Sequence, residues 1–70
     1  MATREEITLY TRPGCSLCDT MKAGLLDRGY RIREVNIDDD PALTRRYRLD
    51  IPVAVRADGT LLAKHRLPPL

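Results

Sequence analysis

Tyr10-Thr11-Arg12-Pro13-Gly14-Cys15-Ser16-Leu17-Cys18 is the stretch on which the fold turns, because the pattern of the chain changes across it. Upstream, Ile7-Thr8-Leu9-Tyr10-Thr11 is rich in β-branched and aromatic residues and stops at Pro13-Gly14, which reads as a strand ending in a turn. Downstream of Ser16 the period becomes helical. Cys18, Met21 and Leu25 fall at i, i+3 and i+7, while Asp19, Lys22 and Asp27 take other faces. Gly29 is the natural stop of that helix. Two cysteines therefore stand where a strand hands over to a helix.

Working outward, Arg31 to Ile37 places Ile32, Val35 and Ile37 among Arg and Glu, which suits a strand near a sheet edge where charge discourages further pairing. Asp40-Pro41 is a helix start, the carboxylate capping backbone amides and the proline sitting where no amide hydrogen is needed. The helix should run towards Tyr47. Ile51 to Arg56 reads as a third strand, and Ala57-Asp58-Gly59-Thr60 as a tight hairpin into a fourth, Leu61 to Lys64, since Asp-Gly tolerates positive φ. The order is β-α-β-α-β-β. A helix between the first two strands makes them parallel with a right-handed crossover, and the last two close antiparallel. The expectation is an α/β fold with a mixed four-stranded sheet in one domain, residues 1–70.

Composition bounds the rest. At 70 residues the chain buries only about 60% of the surface it exposes when unfolded. There is no Trp, no Phe and only three Tyr, so the core must be aliphatic. Twelve basic against ten acidic residues give a net charge of +2, with the arginines scattered, which argues against a nucleic-acid partner. Met1 to Glu6 carries charge where a signal peptide needs an apolar region, and no stretch approaches the roughly 18 apolar residues of a membrane span. A cytoplasmic location without membrane attachment is expected. In a reducing compartment two cysteines point to catalysis or metal binding before a structural disulfide.

The spacing then suggests chemistry. Cys15 sits at a helix N-terminus, where unpaired N–H groups and roughly half a positive charge favour a thiolate. Thiols in C-x-x-C sites titrate at roughly 3.5 to 7.5 against about 8.5 for a free cysteine, which makes Cys15 the candidate nucleophile. Cys18, one turn further in and on the apolar stripe, should be shielded and able to resolve a mixed disulfide from within. Other readings stay open. The pair could be buried structure, or half a metal site. A tetrahedral zinc site wants four ligands, and beyond the cysteines only His65 and carboxylates are on offer. Two copies of the chain could supply four cysteines to zinc or an iron-sulfur cluster across a dimer, and this carrier role is the alternative to redox catalysis.

The stretch from Tyr10 to Cys18 resembles the redox loop of glutaredoxins, in the thioredoxin superfamily, which have a basic residue three positions before the nucleophile. Arg12 takes that place. The resemblance implies that Arg12 lowers the thiol pKa or holds a glutathione carboxylate, as its fixed charge and forked donors allow. Ile51-Pro52-Val53 looks like the superfamily's cis-proline segment, opposite the cysteines. By the same resemblance, the backbone of Ile51 pairs with bound peptide or glutathione like an added strand, and Pro52 is the cis residue. The likeness runs from Ile7 to about Lys64 and fits short bacterial glutaredoxin-like proteins with a Leu before the second cysteine, here Leu17. It implies a thioredoxin-like fold and a thiol-disulfide oxidoreductase with no bound cofactor or metal. Glutathione enters as a co-substrate or, in place of a reductase, as electron donor, and the partners are disulfide-containing proteins or small thiols.

The chain departs from the family in two places. Where many glutaredoxins carry Gly-Gly followed by Asp after the third strand, it reads Arg56-Ala57-Asp58-Gly59-Thr60, and Leu67-Pro68-Pro69-Leu70 cannot form the usual last helix. Apolar surface near Leu61 or Leu62 is then expected, so a monomer that could pair with a second copy. The remaining features have plain explanations. Arg45, Arg46 and Arg48 read as a solvated helix face, Asp38-Asp39-Asp40 as a cap, His65 as a surface residue, and Tyr10 as packing under the loop.

Overall fold

The structure is a computed structural model that describes residues 4–67. Its elements are β1 (Glu6–Thr11), α1 (Ser16–Asp27), β2 (Arg31–Asn36), a 3-10 turn (Ile37–Asp39), α2 (Pro41–Tyr47), β3 (Val53–Arg56) and β4 (Leu61–Lys64). The sheet order is β2-β1-β3-β4. β1 pairs parallel with β2 and antiparallel with β3, and β3 pairs antiparallel with β4. This is the expected mixed sheet, with β2 at an edge.

Alternation along β1 decides which face is buried. Ile7 and Leu9 are fully buried and pack with Met21 and Leu25 of α1, Ala54 of β3 and Ala63 of β4. The helical period read from Cys18, Met21 and Leu25 is therefore the buried stripe of α1. The core is aliphatic throughout, as the composition requires.

α1 ends in a Schellman arrangement: Tyr30 N–H donates to the Leu25 carbonyl (3.1 Å) and Gly29 N–H to that of Leu26 (3.0 Å), while the Tyr30 ring packs on the core. α2 starts as read, with Asp40 capping the Ala42 N–H at 2.9 Å and Pro41 in the first turn.

Three boundaries differ from the sequence reading. β1 begins one residue earlier, at Glu6. β2 stops at Asn36, whose side chain accepts the Asp38 N–H (2.9 Å) and turns Ile37 into the 3-10 segment, where it is buried. β3 starts at Val53, because Pro52, which follows a cis peptide bond, has no N–H to give the ladder. The hairpin also closes differently, since positive φ is confined to Gly59 within it. Gly59 N–H bonds the Arg56 carbonyl at 2.9 Å and Arg56 N–H the Thr60 carbonyl at 2.9 Å, a three-residue loop with a left-handed glycine.

No helix follows β4 among the described residues; the segment expected to lack one continues into residues 68–70, outside those described. Instead Leu67 packs against the core cluster beside α1. Leu61 is 56% exposed and Leu62 is partly buried on the core, so of that expected apolar pair Leu61 is the outward one.

Candidate redox site

The sheet topology collects one end of the molecule. The C-terminal ends of β1, β2 and β4 and the N-terminal end of β3 lie together, since Tyr10 pairs with Val53, Val53 with Lys64, and Thr11 with Asn36. The cysteine loop leaves β1 at this end, and Pro52 enters β3 there.

Gly14, at φ 79°, supplies the left-handed step by which the chain turns from β1 into α1. Cys15 follows as the N-cap of α1 in an extended conformation, and its Sγ accepts the Cys18 N–H at 3.1 Å. A sulfur thus occupies the position in which a Ser or Asp oxygen normally caps a helix, and the backbone donor there stabilises negative charge on it. Cys15 is partly exposed, whereas Cys18 is only 1% exposed among the core side chains. The two sulfurs are joined in a disulfide, with Cα atoms 5.2 Å apart. The unequal burial matches the asymmetry read from the sequence.

Arg12 has a partner that the sequence did not reveal. Its guanidinium donates to both carboxylate oxygens of Asp38, with Nη2 to Oδ1 at 2.6 Å and Nε to Oδ2 at 3.4 Å. That hydrogen bond and the charge of Asp38 raise the Arg12 pKa further above its ordinary value. Asp38 comes from the 3-10 turn after β2, so pairing across 26 positions depends on the parallel β1–β2 register, which no local pattern reports. Arg12, Gly14, Asp19, Glu34 and Asp39 border a cleft of about 350 Å³ on this side, acidic apart from Arg12.

On the other side, Ile51 and Pro52 precede β3. Ile51 N–H donates to the Tyr47 carbonyl at 3.0 Å, and the Pro52 carbonyl accepts the His65 N–H at 2.8 Å. Tyr10 stacks on Tyr47 at the end of α2 with ring centroids 4.5 Å apart, a packing role, and Arg46 lies over the Tyr47 ring. Arg45 and Arg48 are exposed. Cys15, Cys18, Arg12, Ile51 and Pro52 therefore all sit at one end of the sheet. Among the described residues no three His, Cys, Asp or Glu side chains converge as a metal-holding group, and no helix is long and apolar enough to cross a membrane.

Residues 6–68 match the family described as Glutaredoxin-like domain (DUF836). The chain belongs to this family. Solved structures agree with the fold of this glutaredoxin-like domain. Protein Ne2328 from Nitrosomonas europaea is 28% identical, with a TM-score of 0.82 over 96% of this chain and 85% of that one. A protein from X. campestris, XcR50, is 35% identical, with a TM-score of 0.76 over 91% of this chain and 81% of that one. A malarial protein at 14% identity and a TM-score of 0.56, covering 89% of this chain and 79% of that one, shares the fold alone. No curated protein matches. The glutaredoxin-like domain thus combines a thioredoxin-like fold with a cysteine pair in disulfide contact, which fits a redox role.

Proposed function

We propose that this glutaredoxin-like domain is a thiol-disulfide oxidoreductase of the cytoplasm that reduces disulfides by a dithiol mechanism. The observation that carries the reading is the asymmetry of the pair: Cys15 Sγ is partly exposed at the helix start and accepts a backbone N–H, while Cys18 is buried one turn behind it. In the reduced protein the Cys15 thiolate attacks one sulfur of a substrate disulfide. A mixed disulfide forms on Cys15, and the other substrate sulfur leaves as a thiolate that takes up a proton. Cys18 then loses its proton and attacks Cys15 Sγ, which releases the second substrate thiol and leaves the Cys15–Cys18 disulfide. Two electrons and two protons pass to the substrate. A thiol donor, glutathione or a reductase, returns them.

The neighbouring residues serve binding. Arg12 acts as an oriented cation beside the loop, offering charge to a thiolate or a substrate carboxylate. Because the Ile51 N–H is engaged by Tyr47, the Ile51 carbonyl is the group left to accept a bond from an extended substrate next to Pro52. The test is single-turnover reduction of a disulfide peptide, followed by mass spectrometry. Cys15→Ser should abolish reduction, and Cys18→Ser should accumulate the mixed disulfide on Cys15. Reduction surviving in Cys15→Ser would overturn the reading.

A further inference from the structure

A second cavity lies on the opposite flank of the cysteine helix from the acidic cleft. It encloses about 260 Å³ and is lined by Leu17, Thr20 and Met21 of α1 and by His65, Arg66 and Leu67 after β4. Leu17 stands between the two cysteines and is 49% exposed, so one wall of the cavity begins beside the disulfide. Its floor is apolar, from Met21 and Leu67, and its rim is cationic, from Arg66 with the His65 imidazole beside it.

The rim is held in place by the backbone. His65 has φ 66°, the one left-handed non-glycine among the described residues, a conformation that costs free energy and persists where the surroundings fix it. Its N–H is tied to the Pro52 carbonyl at 2.8 Å, so the segment after β4 is fastened to the residue that enters β3 beside the cysteine loop. Leu67 then folds back onto the core near α1.

Charge separates across this end of the molecule. Asp19 and Asp39 border the cleft on the β2 side with no ion pair to a cation of the described residues, while Glu34 pairs with Lys22 and Asp38 with Arg12. On the β4 side, Lys64 and Arg66 form no ion pair with a carboxylate of the described residues, and Arg46 of α2 lines a cavity together with Lys64. A partner laid across the disulfide meets negative charge on one side and positive charge on the other, which orients it.

We infer that the cavity between Leu17 and Arg66 is the docking site for a protein disulfide substrate, and that it takes an apolar side chain followed by acidic residues. The inference rests on the oxidoreductase reading above and names the class of substrate. The apolar side chain enters against Met21 and Leu67, the carboxylates meet Arg66 and His65, and the substrate disulfide is brought to Cys15 for the exchange already written.

The test uses the fully reduced 70-residue protein and two synthetic peptides, each closed by one disulfide and carrying Leu-Glu-Glu or Leu-Lys-Lys after it. Hydroxyethyl disulfide is the neutral small probe to which each protein's rates are normalised. At low salt the acidic peptide should react about 5- to 10-fold faster than the basic one, and added salt should shrink the ratio. Arg66→Glu should bring the ratio to one or invert it, whereas Arg33→Glu, exposed on edge strand β2, should leave it as it was. A ratio near one in the wild-type protein, or one unmoved by Arg66→Glu, would overturn the docking site while leaving the redox reading intact. Failure of the wild-type protein to reduce even hydroxyethyl disulfide would overturn both.

Discussion

Gly24 lies in the interior of α1, where replacing it with Ala should on propensity alone stabilise the protein by about 0.8–1.0 kcal/mol. The structure opposes this gain. A Cβ at position 24 would stand 2.6 Å from Leu67 Cδ1, a distance that real Cβ contacts do not reach, so the end of the Leu67 side chain must rotate aside. Full burial of a leucine contributes about 1.5–3 kcal/mol, and the partly buried Leu67 should forfeit about 0.5–1 kcal/mol on rotating its terminal methyl away from the core cluster. Gly24→Ala is therefore expected to be about neutral, or more stable by no more than about 0.5 kcal/mol. In a Leu67→Ala background the clash disappears. There the same change should stabilise by the full amount of about 1 kcal/mol and raise the Tm by roughly 4–8 °C. Urea unfolding of the four proteins, followed by circular dichroism, measures the coupling, expected at about 0.5–1 kcal/mol. A gain of about 1 kcal/mol from Gly24→Ala in the wild-type chain, with no coupling, would refute the seating of the post-β4 segment on α1.

Two further outcomes concern stability and pH. Leu25 is fully buried, so Leu25→Ala should cost about 2–5 kcal/mol, a large share of what a domain this small possesses. Leu49→Ala, at a position 80% exposed, should change the unfolding free energy by no more than about 0.5 kcal/mol; equal effects would contradict the assigned core. The Asp58 carboxylate accepts the Thr60 N–H at 3.0 Å and the Thr60 hydroxyl at 2.7 Å, and these bonds hold its pKa below the ordinary aspartate value. Since its folded pKa is depressed, its contribution is present above the unfolded value of about 3.9 and is lost as pH falls through the folded pKa. An NMR titration should place the Asp58 midpoint below that of an ordinary aspartate, and Thr60→Val should move it part of the way up. A midpoint at or above the ordinary value would show that the turn bonds do not form.

The sequence made legible whatever depends on local pattern. Cys18, Met21 and Leu25 define the buried stripe, the charges among Ile32, Val35 and Ile37 mark an edge strand, and Asp40-Pro41 marks a helix start. Cys15 at a helix N-terminus was equally readable, because the strand, turn and helix around it are contiguous. The pairing of Arg12 with Asp38 and the stacking of Tyr10 on Tyr47 were not, since the first depends on the β1–β2 register and the second on how α2 packs against β1. The cavity beside Leu17 was hidden for the same reason: His65 and Leu67 read as surface and tail until β4 is placed next to β3. Gly24 carried no signal of its own. Its small size matters only because Leu67 lies over it.

The cysteines are three positions apart, so their disulfide closes a ring close to the smallest a protein chain can make. The stabilisation from a cross-link grows with the length of chain it closes off, and a ring this short contributes about 2 kcal/mol, well below what a long loop would give. The sheet and the aliphatic layer beneath α1 must hold the fold by themselves. A protein that opens and closes this bond on every cycle can thereby keep the same shape on both sides of the reaction, its stability changing by only a small step as electrons pass.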